Sequence, residues 1–244
     1  MRKLTYFIAA SIDGFIGAPN GDAELFTRFV DEEFLEFLKA EYPETLPTHG
    51  RQALGLDDLE NKRFDTVVQG RASYDLALVA KVTSPYAHLR QYVASRTIKD
   101  APDPAVEIIS GDVVRKVREL KPEEGLDIYL CGGSTLAGAL LDEIDELVIK
   151  TYPVVLGSGM PMFASGFHIT DFTLSRSAPS ATAPSCGGMA GTSPTPPECR
   201  PGSGHPPPAT RPGTAAWRRS APGGGRSRSW AGTWAARPRP GRSG

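Results

Sequence analysis

The chain has 244 residues, 40% of them hydrophobic and 23% charged, with a formal net charge of -1. That composition suits a soluble globular protein and excludes collagen-like or fully disordered chains. No apolar run reaches the roughly 20 residues of a membrane span. The near-neutral charge hides a division. From Ala178 onward there are nine Arg and one acidic residue, Glu198, so a tail of about +8 follows a body of about -9.

In chain order, the body alternates strand-like and helix-like segments. "MRKLTYFIAASIDG" has a basic start, but its apolar run is short and is soon interrupted by Asp13. It reads as a first strand and not a leader, which predicts a cytoplasmic protein. "DEEFLEFLKAEY" predicts a helix with an acidic first turn and Phe34, Leu35, Phe37 and Leu38 on one face. "ETLPTHGRQALGLDDLENKR" contains Pro and Gly and predicts a long loop. "DTVVQ" predicts a buried strand and "GRASYDLAL" a helix; "QYVAS" and "VEIIS" predict two more strands. "DVVRKVREL" predicts an amphipathic helix capped by Asp112. "DIYLC" predicts a strand, "STLAGALLDE" a helix capped by Ser134, "IDELVIKTYPVVL" a long strand and "HITDFTLSRS" the last one. Strands separated by helices predict a mostly parallel sheet covered on both faces.

Between Ala178 and Gly244 there is no Leu, Ile, Val, Phe, Tyr or Lys. Such a segment buries too little apolar surface to offset chain entropy of about 1–2 kcal/mol per residue, so residues 177–244 are expected to be a disordered tail. Its composition is that of GC-rich codons, as a shifted reading frame would produce. Dispersed Arg with three isolated Trp make nucleic-acid binding the lesser reading of the tail. Three cysteines without CxxC spacing and four scattered histidines predict no disulfide framework and no metal site.

Three strand ends carry the chemistry. Gly132 and Gly133 follow one strand and precede Ser134. A helix N-terminus attracts phosphate, and glycine lets a ligand reach the backbone; a tight turn with close helix packing explains the pair equally well. "VVQGRASYD" repeats the arrangement, with Gly70 at the strand end, Arg71 as a forked phosphate partner and Ser73 as a hydroxyl donor. In "YVASRTI", Ser95 and Arg96 stand where an NAD-binding protein would carry an acid, and an Arg there favours NADP.

Taken in order, "IAASIDGFIG", "VVQGRASYD", "YVASRTI", "LCGGSTLAGALL" and "ELVIKTYPVVLGSGMPMF" resemble the dihydrofolate reductase-like superfamily. The branch is that of the reductase domain of bacterial riboflavin biosynthesis, and the resemblance covers residues 1–176. It implies a three-layer α/β fold, with a mostly parallel central sheet of about eight strands, and NADPH along its C-terminal edge. Ala10 and Ile16 would flank the nicotinamide. Gly70, Arg71 and Ser73 would hold phosphate, and Ser95 and Arg96 the adenosine end. Gly132 and Gly133, joined by a cis peptide, would approach the pyrophosphate with Ser134 and Thr135.

The function implied is NADPH-dependent hydride transfer to a small pterin- or pyrimidinone-like heterocycle, the alternative being an inactive nucleotide-binding paralogue. Asp13 is the candidate for proton handling, although "DG" can simply make a turn. Asp31, Glu32, Glu33 and Glu36 read better as a solvated helix start than as a catalytic acid. Relatives are often dimers, so a homodimer is expected by analogy. The final apolar strand of relatives has no counterpart after "FTLSRS", which predicts an open edge on the neighbouring strand.

Overall fold

The computed structural model describes residues 1–178 and 213–219. In chain order the strands are β1 (Leu4–Ser11), β2 (Phe15–Gly17), β3 (Phe64–Gly70), β4 (Arg90–Ala94), β5 (Val106–Ile109), β6 (Asp127–Gly132), β7 (Glu146–Tyr152), β8 (Met160–Pro161), β9 (Phe172–Ala178) and β10 (Gly213–Arg219). The helices are α1 (Glu32–Glu41), α2 (Thr48–Ala53), α3 (Arg71–Val79), α4 (Val113–Leu120) and α5 (Ser134–Ala139).

Eight strands form one sheet in the order β5-β4-β3-β6-β1-β7-β10-β9. The first six are parallel, and β10 runs antiparallel to both β7 and β9. β2 and β8 make a separate two-stranded ribbon. Strands buried on both faces need apolar residues at successive positions, and Val67 and Val68 supply this on β3, each facing a different core. On one face, Val117 and Leu120 of α4, Leu136 and Ala137 of α5 and Leu140 just after it pack against Leu4, Tyr6, Ile128 and Leu130. On the other, Phe34 and Leu38 of α1 pack with Phe7, Phe64, Val67, Tyr129 and Val148. Tyr74 of α3 joins Val93 and Val106 in a third cluster, on the α1 side of β4.

Helix α1 starts as its sequence predicts. Asp31 is its cap, accepting from the Phe34 N–H at 2.9 Å, and Glu36 pairs with Lys39 at 2.7 Å on the exposed side. Asp112 likewise caps α4 through the Arg115 N–H at 3.1 Å.

The stretch expected as one long loop is instead partly helical: a 3-10 turn, Pro43–Thr45, leads into α2. Tertiary bonds hold it. The buried Glu44 carboxylate accepts from the Lys62 and Arg63 backbone N–H groups, and Thr48 donates its N–H to Pro85 O at 2.7 Å.

The expected missing strand is also corrected. Residues Gly213–Arg219, within the segment expected to be disordered, form β10 and fill the place between β7 and β9. Successive residues serve opposite faces: Ala216 joins the α1-side cluster, and Trp217 packs against the α4 and α5 side. The Arg219 Nε donates to Ile144 O at 2.8 Å, and its guanidinium also reaches Leu141 O. One Trp and small alanines thus do what branched aliphatics usually do in a strand. The rest of the tail, with its expected disorder and its basic, nucleic-acid-binding reading, lies outside the described residues.

Candidate functional site

The sheet has a switch point between β3 and β6. From β3 the chain moves outward to β4 and β5; from β6 it moves the other way, past β1 to β7. Helix α3 therefore leaves β3 on one face and α5 leaves β6 on the other, which opens a crevice at the strand ends. Into it come Gly70, Gly132 and Gly133. The same edge carries Ala94 of β4, level with Gly70, and Ala10 of β1. From β4 to β1 it spans three strand spacings, roughly 14 Å.

The glycines have different reasons to be there. A Cβ on Gly70 would lie 3.3 Å from the Gly133 nitrogen and 3.4 Å from Gly132 O, so the close approach of two strand ends requires its absence. Gly132 has φ of +111°, a conformation that L side chains rarely adopt. Gly133 has ordinary φ of -89°, and a Cβ there would meet only Met160 Sδ, at 3.8 Å. The protein's own packing explains the first two and leaves the third open to approach from outside. The Gly132–Gly133 peptide is cis, as the resemblance implied.

Ser134 is not the cap of α5. Gly133 holds that position with no side-chain bond, and Ser134 is the first helical residue. Its hydroxyl is buried and has no hydrogen-bond partner. Thr135 beside it is exposed, and α3 likewise begins without a side-chain cap, at Gly70.

Arg71 is half-exposed at the start of α3. It pairs with Asp75 at 3.1 Å and donates to the Thr97 hydroxyl, which ties the ends of β3 and β4 together. Ser73 is half-buried two residues on. Ser95 is buried, and its hydroxyl accepts from the Ile98 and Thr97 N–H groups at 3.0 and 3.3 Å, so its oxygen holds the turn. Arg96 is exposed on that turn, without a salt bridge among the described residues. Ala10 and Ile16 are both buried, at the end of β1 and on β2.

Asp13 sits in the turn between β1 and β2. Its carboxylate accepts from the Leu156 N–H at 3.1 Å and the Gly157 N–H at 2.7 Å, fastening the loop after β7. The Ser11 hydroxyl first, and then these backbone donors, hold its pKa below the usual carboxylate range. A carboxylate so engaged is ionised at neutral pH and poorly suited to giving up a proton.

Two further residues at this end escaped sequence reasoning. Gln69 precedes Gly70, is 1% exposed, and its amide nitrogen has no partner. Lys150 of β7 is half-buried, with its ammonium 4.4 Å from the centre of the Phe7 ring. Burial pulls its pKa down to about 8, against the opposing influence of Cys131. The signal was a polar residue inside an apolar strand, in "VVQG" and "LVIKTY". Strand periodicity identifies such residues only as buried or exposed, not as partnered or unpartnered. Cys131 is half-buried against the α1-side core, as a small packing residue.

A cleft of about 320 Å³ lies at the opposite end of the sheet, lined among others by Thr5, Lys62, Arg63, Asp127 and Glu146. It shares no residue with the glycine crevice. Among the described residues no His, Cys, Asp or Glu cluster could hold a metal, and no helix is long and apolar enough to cross a membrane.

The unbonded Ser134 hydroxyl, the open approach at Gly133, the uncapped helix starts and the exposed Arg96 suit an anionic, phosphate-bearing ligand. Residues 2–181 match the family model described as the RibD C-terminal domain. The uncharacterised protein YwjB of Bacillus subtilis is 30% identical over 164 residues, covering 66% of this chain and 83% of that protein. YyaP of the same organism is 27% identical over 175 residues, covering 66% and 80%. Among solved structures, a putative riboflavin biosynthesis protein of Shewanella sp. PV-4 superposes with a TM-score of 0.58 at 21% identity, over 90% of this chain and 99% of that one. Dihydrofolate reductase of Enterococcus faecalis, solved with NADP(H), superposes with a TM-score of 0.54 at 14% identity, over 90% and 97%. The fold is thus dihydrofolate reductase-like.

Proposed function

We propose, since this chain belongs to the RibD C-terminal domain family, that it is an NADPH-dependent reductase of a small pyrimidinone- or pterin-like heterocycle. The observation that carries the reading is the meeting of Gly70, Gly132, Gly133 and the unpartnered Ser134 hydroxyl at the switch point of a doubly wound sheet.

The backbone at Gly133 and the start of α5, with Ser134 and Thr135, would receive the pyrophosphate. Gly70, Arg71 and Ser73 would hold phosphate on the β3 side, and Arg96, on the turn fixed by Ser95, would meet the 2′-phosphate. Ala10 and Ile16 would present an apolar wall to the nicotinamide. When bound, the coenzyme supplies the hydride. The chain's part is to align the two rings and exclude water. Asp13 serves by holding the loop after β7 beside this edge, and the proton comes from elsewhere, water included.

The test is a fluorescence titration with NADPH and NADH of the wild type and of Arg71→Ala, Arg96→Ala and Gly132→Val. The expected result is tighter binding of NADPH than of NADH, with that preference lost in Arg96→Ala and binding abolished in Gly132→Val. Failure of the folded wild type to bind NADPH at millimolar concentration would overturn the reading. Tight binding with no oxidation of NADPH by pterins, pyrimidinones or quinones would instead identify an inactive nucleotide-binding paralogue.

A further inference from the structure

On the α1 face of the sheet, Gln69 of β3, Cys131 of β6, Ala9 of β1 and Lys150 of β7 lie across four adjacent strands. Ala9 and Lys150 are in direct register, and the step from Val68 to Gln69 opposite β6 carries a register shift at Cys131. Gln69 alternates with Val67, and Lys150 with Val148, both of which face the α1 core. β3, β6, β1 and β7 each have a strand on both sides, so accessibility at Ala9, Cys131 and Lys150 comes only from above the sheet. The helical layer therefore leaves Ala9, Cys131 and Lys150 partly accessible, while Gln69 beside them lies buried.

Aromatic side chains surround the patch. Phe7 lies below Lys150, and Tyr42 packs against it at a tilt of 43° with ring centres 4.7 Å apart. Phe34 contacts Phe37 and Tyr152 at 6.3 and 6.4 Å. Tyr86 and Tyr129 meet edge to face at 5.9 Å, and the Tyr86 hydroxyl lies 3.5 Å from Cys131 Sγ. Two polar groups of this patch lack protein partners: Lys150 has no ion pair among the described residues, and the Gln69 amide nitrogen has no hydrogen bond. A half-buried cation without an anion costs some stability, and such a cost is retained where a ligand completes the pairing.

We infer that Lys150 is the substrate-binding cation of this protein, and that the recess takes a planar heterocycle carrying an oxo or enolate oxygen, which the ammonium would hold over Phe7 with help from the Gln69 amide. This rests on the reductase reading above. It adds a residue and a substrate chemistry: aromatic walls for a flat ring, and one unpaired cation for its oxygen.

The probe is lumazine, a fluorescent dioxo-heterocycle, titrated in the presence of saturating NADP⁺ into the wild type, Lys150→Met and Lys150→Arg. Losing a charge-assisted hydrogen bond should weaken lumazine about tenfold or more in Lys150→Met, with Lys150→Arg recovering part of the loss and NADP⁺ affinity unchanged in both. The melting temperature of ligand-free Lys150→Met should equal or exceed that of the wild type, because an unpaired half-buried charge has gone; a merely structural lysine would lower it. Equal lumazine affinity in wild type and Lys150→Met, a lower melting temperature in the variant, or no lumazine binding to an NADP⁺-saturated wild type would each overturn the inference. In those outcomes intact coenzyme binding leaves the reductase reading standing, whereas loss of coenzyme binding by the wild type removes both.

Discussion

At the N-terminal end of the sheet, Arg2 gives its guanidinium to Asp65, Thr66 and Leu126 O, and Lys121 pairs with Asp145 at 2.8 Å while donating to Glu143 O. The Asp127 carboxylate receives the Lys3 N–H at 2.7 Å. At the C-terminal end, the Gln69 amide nitrogen and the Ser134 hydroxyl have no partner, and Lys150 has no counter-ion among the described residues. Most polar groups at the first end hold strands together, although Arg2 Nη1 and the Thr5 hydroxyl there have no hydrogen-bond partner; at the other end a buried amide, a buried hydroxyl and a half-buried ammonium are left over. The cleft of about 320 Å³ lies at the first end, away from the glycines of the strand ends, so the size of a hollow does not locate the candidate site.

Substitutions at each end should separate the two roles. Arg2→Ala is expected to have the largest effect, about 2–3 kcal/mol of lost stability from the packing and charge-assisted bonds of a buried guanidinium, with NADPH affinity unchanged; urea unfolding and coenzyme titration check both halves. A parallel loss of affinity would blur the contrast. Gly133→Ala should do the reverse. It has room for a methyl group at normal φ, so its stability should stay within about 0.5 kcal/mol of wild type, while NADPH binding falls about tenfold. Arg96→Ala, exposed and unpaired, should leave stability alone and cut the NADPH-over-NADH preference by about tenfold.

The smallest effect concerns pH. Lys150 has a folded pKa near 8, below its ordinary value of 10.5. Between these values the unfolded chain binds the proton that the folded chain has released, so stability gains as pH rises through that window. Below about pH 8 both states are protonated and the burial cost is present in full. The melting-temperature advantage of Lys150→Met should therefore shrink between pH 7 and pH 9.5. Comparing the two proteins at each pH cancels the titration of Tyr86 and Tyr129 on the same face, which burial raises above the ordinary value.

Much of this architecture can be read from the residues. The runs around Val67–Val68 and Ile128–Leu130, and the glycines after them, place the strands and their ends, because parallel strands buried on both faces need continuous apolar residues. Helix α2 was hidden because Pro47 and Gly50 suggest a loop, and the contacts that hold it come from Lys62, Arg63 and Pro85, distant in the chain. Strand β10 was hidden because Ala215–Arg219 has almost no aliphatic content; its stability comes from being sandwiched between two ladders. Ser134 was expected to cap a helix and instead keeps its hydroxyl free. Which of two adjacent residues takes the cap depends on a backbone angle that composition does not encode.

The place of β10 bears on how the molecule is made. Among the described residues β9 joins the hydrogen-bonded sheet only through β10, so a nascent chain released as far as Ala178 has a β7 margin with nothing paired to it and a β9 without its strand partner. Sheet assembly is then completed from the middle by residues synthesised after both flanks. Until those residues emerge from the ribosome, the β7 margin is a template for any extended segment nearby, and chaperone engagement during synthesis should concentrate there.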